Sequence, residues 1–81
     1  MAFEVFTRVA LHEDFPQYKL RRGDVAMIVE HHPVPDDEDG YSLEVFNALG
    51  ETIAVVTVAE SQIESLMSNE VLHIRRLEEA V

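Results

Sequence analysis

The stretch YSLEVFNALGETIAVVTV, residues 41–58, constrains the fold most: it is two β-rich runs separated by Ala48-Leu49-Gly50. Tyr41, Leu43 and Val45 alternate with Ser42 and Glu44, the period of a strand with one buried face. Residues 51–58 are rich in side chains branched at Cβ, which favour pleated backbone. A three-residue connection ending in Gly50 predicts a tight hairpin with glycine in the left-handed region. A lone hairpin is marginal in water, so the rest of the chain has to supply more strands.

It does. VAMIVEH, residues 25–31, lies between Gly23 and Pro33 and reads as a central strand buried on both faces. Phe3, Val5, Thr7, Val9 and Leu11 share a period-2 face, which predicts a strand over 3–10 with Phe6 as the discordant residue on the opposite face. Between these runs, HEDFPQYKLRRGD reads as an irregular loop anchored by Phe15, Tyr18 and Leu20 and turning at Gly23. Ile63, Leu66 and Met67 fit one or two helical turns, and a short 3₁₀ connector fits equally. In the tail, Val71, Ile74 and Leu77 are spaced for a helix while Leu72 and Ile74 alternate as in a strand; local chemistry favours the helix. The expectation is one all-β domain over residues 1–81: an antiparallel barrel of about five strands, with a short helical or 3₁₀ turn near residues 60–66. Closure removes exposed strand edges, which is the physical reason to expect it.

With 81 residues the chain allows one small core, and self-association would add to a marginal stability. Six basic and sixteen acidic side chains give a net charge of −10. Nine of the acids and no base fall in residues 36–70, densest in the turn PDDEDG, residues 35–40. Such an excess of acid repels nucleic acid. No apolar run approaches the roughly 20 residues that span a bilayer, and the start lacks a basic segment ahead of an apolar core, so a cytoplasmic protein without membrane contact is expected. The absence of cysteine excludes disulfides and thiolate chemistry.

The chemistry-bearing residues give little. His31, His32 and His73 are the candidates for a metal site, with Asp36 or Glu38 beside them, but their spacing matches no zinc or calcium signature. A polar strand end running into an acidic turn explains the histidine pair more simply. The carboxylates lie where nothing raises a pKa, and the three glycines are too scattered to cradle phosphate. No catalytic residue and no cofactor are expected.

Four strings carry a resemblance: Val9-Ala10-Leu11, the Asp14–Pro16 loop with Leu20-Arg21-Arg22-Gly23-Asp24-Val25, the Tyr41–Phe46 run, and Glu70-Val71-Leu72-His73-Ile74-Arg75. Together they resemble the small bacterial family known as domain of unknown function 4926 over nearly the whole chain. The resemblance implies an SH3-like barrel whose last ordered piece, residues 70–76, is a strand rather than a helix. It brings no functional residues with it. The acidic run 36–39 looks like an insertion relative to that family. Leu20, Gly23, Asp24 and Val25 also look like the opening of a motif in RNA-meeting SH3-like domains. Those domains are basic, and a Gly-Asp turn with Asp bonded to its own backbone accounts for the pattern here.

Binding is therefore the expected activity: a protein-interaction or accessory module that meets a protein partner, or its own copy, through the domain surface or a strand edge. Phe6, Phe46, Ile74 and Leu77 are the candidate apolar contacts, and Arg21 and Arg22 the candidate electropositive spot. The alternatives are a small metal-binding or enzymatic module using the histidines, and an antitoxin-like partner of a neighbouring gene product.

Overall fold

The computed structural model describes residues 3–77. Strands form where the sequence alternates or is β-branched: β1 (Arg8–Leu11), β2 (Val25–His32), β3 (Gly40–Phe46), β4 (Thr52–Ala59) and β5 (Ile63–Ser65). Single 3₁₀ turns occupy Pro16–Tyr18 and Glu60–Gln62. The five strands make one antiparallel sheet in the order β4-β3-β2-β1-β5. One face carries the core. Ile28 lies opposite Leu43, and Leu43 opposite Val56, all buried together with Val9, Leu11, Tyr41 and Ile63. Phe15 and Leu20 fold in from the loop after β1, where they bridge each other across the 3₁₀ turn. Tyr18, expected beside them, stays exposed.

The β3–β4 hairpin forms as its spacing predicts, and Asn47 fastens it. The Asn47 carbonyl accepts the Gly50 N–H at 3.0 Å, and its N–H donates to the Glu51 carbonyl at 2.9 Å. Its side-chain oxygen also accepts the Leu49 and Glu51 N–H groups. Gly50 sits at φ +86, and a Cβ added there meets nothing within 4 Å. The cost of a side chain at this position is thus backbone strain alone. Gly50→Val is expected to lower stability by about 1–2 kcal/mol in denaturant unfolding, and a loss within error of zero contradicts the left-handed assignment.

Three expectations are corrected. The sheet is not closed into a barrel, SH3-like or otherwise: β4 and β5 are its two edges and do not pair with each other. β5 has only three residues, each matched to β1 (Val9↔Ser65, Ala10↔Glu64, Leu11↔Ile63), and the 3₁₀ turn from β4 leaves no further strand to span the gap. What stands is an all-β, five-stranded antiparallel sheet with a short 3₁₀ turn.

Second, the first strand does not run over 3–10 but starts at Arg8, because Phe6 adopts φ 66. The Phe6 N–H donates to the Ile28 carbonyl at 2.6 Å and the Ile28 N–H donates to the Thr7 carbonyl at 3.0 Å, so two residues oppose one, as in a β-bulge. Phe6 is also 72% exposed. Since its ring contributes little burial, Phe6→Gly is expected to leave stability unchanged or raise it by up to about 1 kcal/mol. A clear loss in thermal melts would show that the ring packs.

Third, residues 70–76 form neither the strand that the resemblance implies nor a helix. Val71 and Ile74 remain exposed, and the segment is tied down through the Arg75 side chain rather than by a backbone ladder. The part of the tail reading that falls on residues 78–81 lies outside the described residues.

Candidate functional site

The sheet face opposite the core is apolar at one end. Ala10 pairs with Glu64 on one side and Val25 on the other. Phe46 occupies the next rung of β3, and Ile53 sits where the β3–β4 register shifts between Val45 and Phe46. These residues floor an open groove of about 1110 Å³ whose other wall is the segment from Glu70 to Leu77. Leu72, Ile74 and Leu77 add apolar surface to that wall, and His73, Arg75 and Arg76 add charge or polarity.

Asp24 holds the wall in place. Its Oδ1 accepts a hydrogen bond from Arg75 Nε at 2.9 Å, and its Oδ2 accepts from Arg75 Nη2 and from the Arg21 backbone N–H, the latter at 2.8 Å. Arg75 also donates to the Lys19 carbonyl at 3.2 Å. Partial burial pushes the Asp24 carboxyl up, but the Arg75 hydrogen bond, the Arg21 N–H and the two arginine charges outweigh it, and the pKa lies below the ordinary aspartate value. The other acids in the groove are engaged as well. Glu64 pairs with the His12 ring, and Glu70 accepts the Met67 N–H at 2.6 Å. Arg22 and Arg76, by contrast, line the groove with no side-chain partner among the described residues.

Four of the residues named from sequence thus meet: Arg22, Phe46, Ile74 and Leu77 all line the groove. Arg21 lines a neighbouring cleft of about 220 Å³ with Lys19 and Arg75. Phe6 borders neither. The histidines do not converge. His31 Nε2 lies 2.7 Å from Asp39 Oδ2, and its ring stacks on Tyr41 with centroids 4.9 Å apart. His32 Nε2 lies 2.8 Å from Ser42 Oγ, while His73 is on the groove wall. Hydrogen bonds from His31 and the Val34 N–H hold the Asp39 carboxyl below its usual range. No group of three or more His, Asp or Glu side chains is arranged to hold a metal ion among the described residues.

Sequence reasoning missed the Asp24–Arg75 pair. It read Asp24 only as a turn residue bonded to its own backbone, a bond that the structure does contain. Nothing local announces a partner 51 residues away. The acidic turn is also docked: Glu38 accepts the Ser61 N–H at 2.7 Å and the Asp39 carbonyl accepts the Glu60 N–H at 2.9 Å.

The sequence profile of a family described as "Domain of unknown function (DUF4926)" matches residues 5–65. The chain belongs to the DUF4926 family. The match spans the whole sheet, from the turn before β1 to the end of β5. The Glu70–Arg75 string quoted for the resemblance falls outside it, so the DUF4926 domain supplies the groove floor while the wall comes from the residues that follow. No curated protein and no solved structure matches the chain. Among the described residues no helix is long and apolar enough to cross a membrane.

Proposed function

We propose that this DUF4926 domain is a protein-interaction module whose groove takes an extended partner segment that is both apolar and acidic. The observation that carries the reading is the pairing of an apolar floor (Val25, Phe46, Ile53) with two guanidinium groups, Arg22 and Arg76, that have no carboxylate of their own among the described residues. On a chain of net charge −10, positive groups left over beside an apolar surface favour a carboxylate-bearing ligand and disfavour nucleic acid. A cytoplasmic setting belongs to the same proposal and is supported by a small chain with no cysteine.

The test is a random peptide-display library selected in parallel on the wild-type domain and on an Arg22→Glu/Arg76→Glu variant with an unchanged circular dichroism spectrum. The wild type is expected to enrich peptides with Asp or Glu next to aliphatic or aromatic residues, bound about tenfold or more tighter than by the variant, the worth of one charge-assisted contact. Equal enrichment on both, or enrichment of basic peptides, rejects the reading.

A further inference from the structure

The groove floor is one row across the sheet. Glu64 pairs with Ala10, Ala10 with Val25, and the register Ala26↔Val45 sets Val25 beside Phe46, with Ile53 next across the hairpin. That row crosses all five strands, roughly 19 Å at the usual spacing, the length of about six extended residues. The wall runs the same way. Glu70 closes a turn with Met67 just past β5, its N–H donating to the Met67 carbonyl at 3.1 Å, and Arg75 reaches Asp24 just ahead of β2. Between these fixed points, Val71-Leu72-His73-Ile74 passes without helix, turn or bend and with no positive φ.

None of these four residues hydrogen-bonds to another described residue, through backbone or side chain. All four are exposed, Val71 at 91% and Ile74 at 80%. They include no proline and no glycine, and Val71 and Ile74 are β-branched. A row of unpaired N–H and C=O groups, held at both ends beside an apolar floor, is a template for one more strand. A helix lying in the groove would satisfy its own backbone and leave that row to water.

We infer that the partner of the groove binds as an added strand of about six residues, alternately apolar and acidic, hydrogen-bonded through its backbone to Val71–Ile74. This inference rests on the groove proposal and adds to it the conformation and sequence pattern of the partner segment. Side chains of an extended segment alternate between two sides. One set meets Val25, Phe46 and Ile53 on the floor. The other set points away from the floor, where the exposed guanidinium groups of Arg22 and Arg76 donate to its carboxylates. A segment with its apolar residues in one block presses carboxylates against the floor, so the right composition in the wrong order binds poorly.

Two end-capped peptides of one composition separate pattern from charge: Val-Glu-Val-Glu-Val-Glu and Val-Val-Val-Glu-Glu-Glu. In nuclear magnetic resonance titrations of the full chain, the alternating peptide is expected to bind about tenfold or more tighter than the block peptide. At saturation it is expected to slow hydrogen exchange at alternate amides among Val71–Ile74 by about tenfold or more. N-methylating all its valines, or all its glutamates, blocks opposite edges of the peptide strand, so one modification is expected to abolish binding and the other to spare it. Equal binding of the two peptides, unslowed exchange throughout Val71–Ile74, or equal effects of the two methylations overturns the inference and leaves the groove proposal standing. If neither peptide binds, the inference falls, and the groove proposal falls with it only when the display selection also yields no acidic, apolar sequences.

Discussion

Leu43→Ala is expected to lower stability by roughly 2–5 kcal/mol. Leu43 is 0% exposed, on a strand paired on both sides, facing Ile28 across one ladder and Val56 across the other. Its neighbours belong to two different strands and cannot all collapse into the void, so a cavity term adds to the lost transfer energy. A domain of this size has a total stability of only about 4–12 kcal/mol at the usual 0.05–0.15 kcal/mol per residue. The variant is therefore expected to melt well below the wild type in thermal unfolding and to populate unfolded chain at moderate denaturant. Leu43→Met keeps most of the volume and is expected to cost less than about 1.5 kcal/mol. Equal losses from both changes would show that the core does not read side-chain size at this position.

The second large effect is at Asp24. Replacing it with Ala removes the carboxylate that accepts from the Arg21 N–H and the Arg75 guanidinium, which weakens the hold of segment 70–77 on the sheet while the Arg75 bond to the Lys19 carbonyl remains. Because the pair is only partly buried, solvent screening keeps the expected loss to roughly 1–3 kcal/mol. Proteolysis after Arg75 or Arg76 is expected to quicken in the same variant, which a time course by mass spectrometry reads directly. The pH dependence follows from the direction of the Asp24 pKa. Its folded value lies below the value of about 3.9 for an unfolded chain. The pair's contribution is thus fully present above that value and is lost as pH falls through the lower, folded pKa. Acid titration of the wild type is expected to be steeper below about pH 4 than that of Asp24→Asn. Parallel curves would mean that Arg75 gains nothing from the carboxylate charge.

Local signals made the middle of the sheet legible. The alternation of Tyr41, Leu43 and Val45, the apolar run before His31, and Gly50 each depend on residues a few positions apart, and β2, β3, β4 and their hairpin follow from them. The first strand was cut short by Phe6, since a bulky side chain at positive φ is no part of the period-2 pattern that the neighbouring residues keep. Closure failed for a different reason. Whether β4 meets β5 depends on strand lengths and on the turn Glu60–Gln62, and periodicity carries no information about either. Part of the groove was legible too. Phe46, Ile74 and Leu77 stood out as surplus apolar residues and Arg22 as surplus charge, but Asp24, which organises them, looked like an ordinary turn residue.

The setting of Tyr41 has a practical consequence for optical measurements. The chain has no tryptophan and two tyrosines. One phenol is wholly enclosed, with its oxygen accepting the Phe3 N–H, the Phe3 ring edge-on and the His31 imidazole stacked against it; the other, on Tyr18, is wet. Near-ultraviolet dichroism and emission of the native protein therefore come from two chromophores in sharply different surroundings. A small quencher dissolved in the buffer reaches one of them at once and the other only when the sheet opens, so unfolding can be followed without any label.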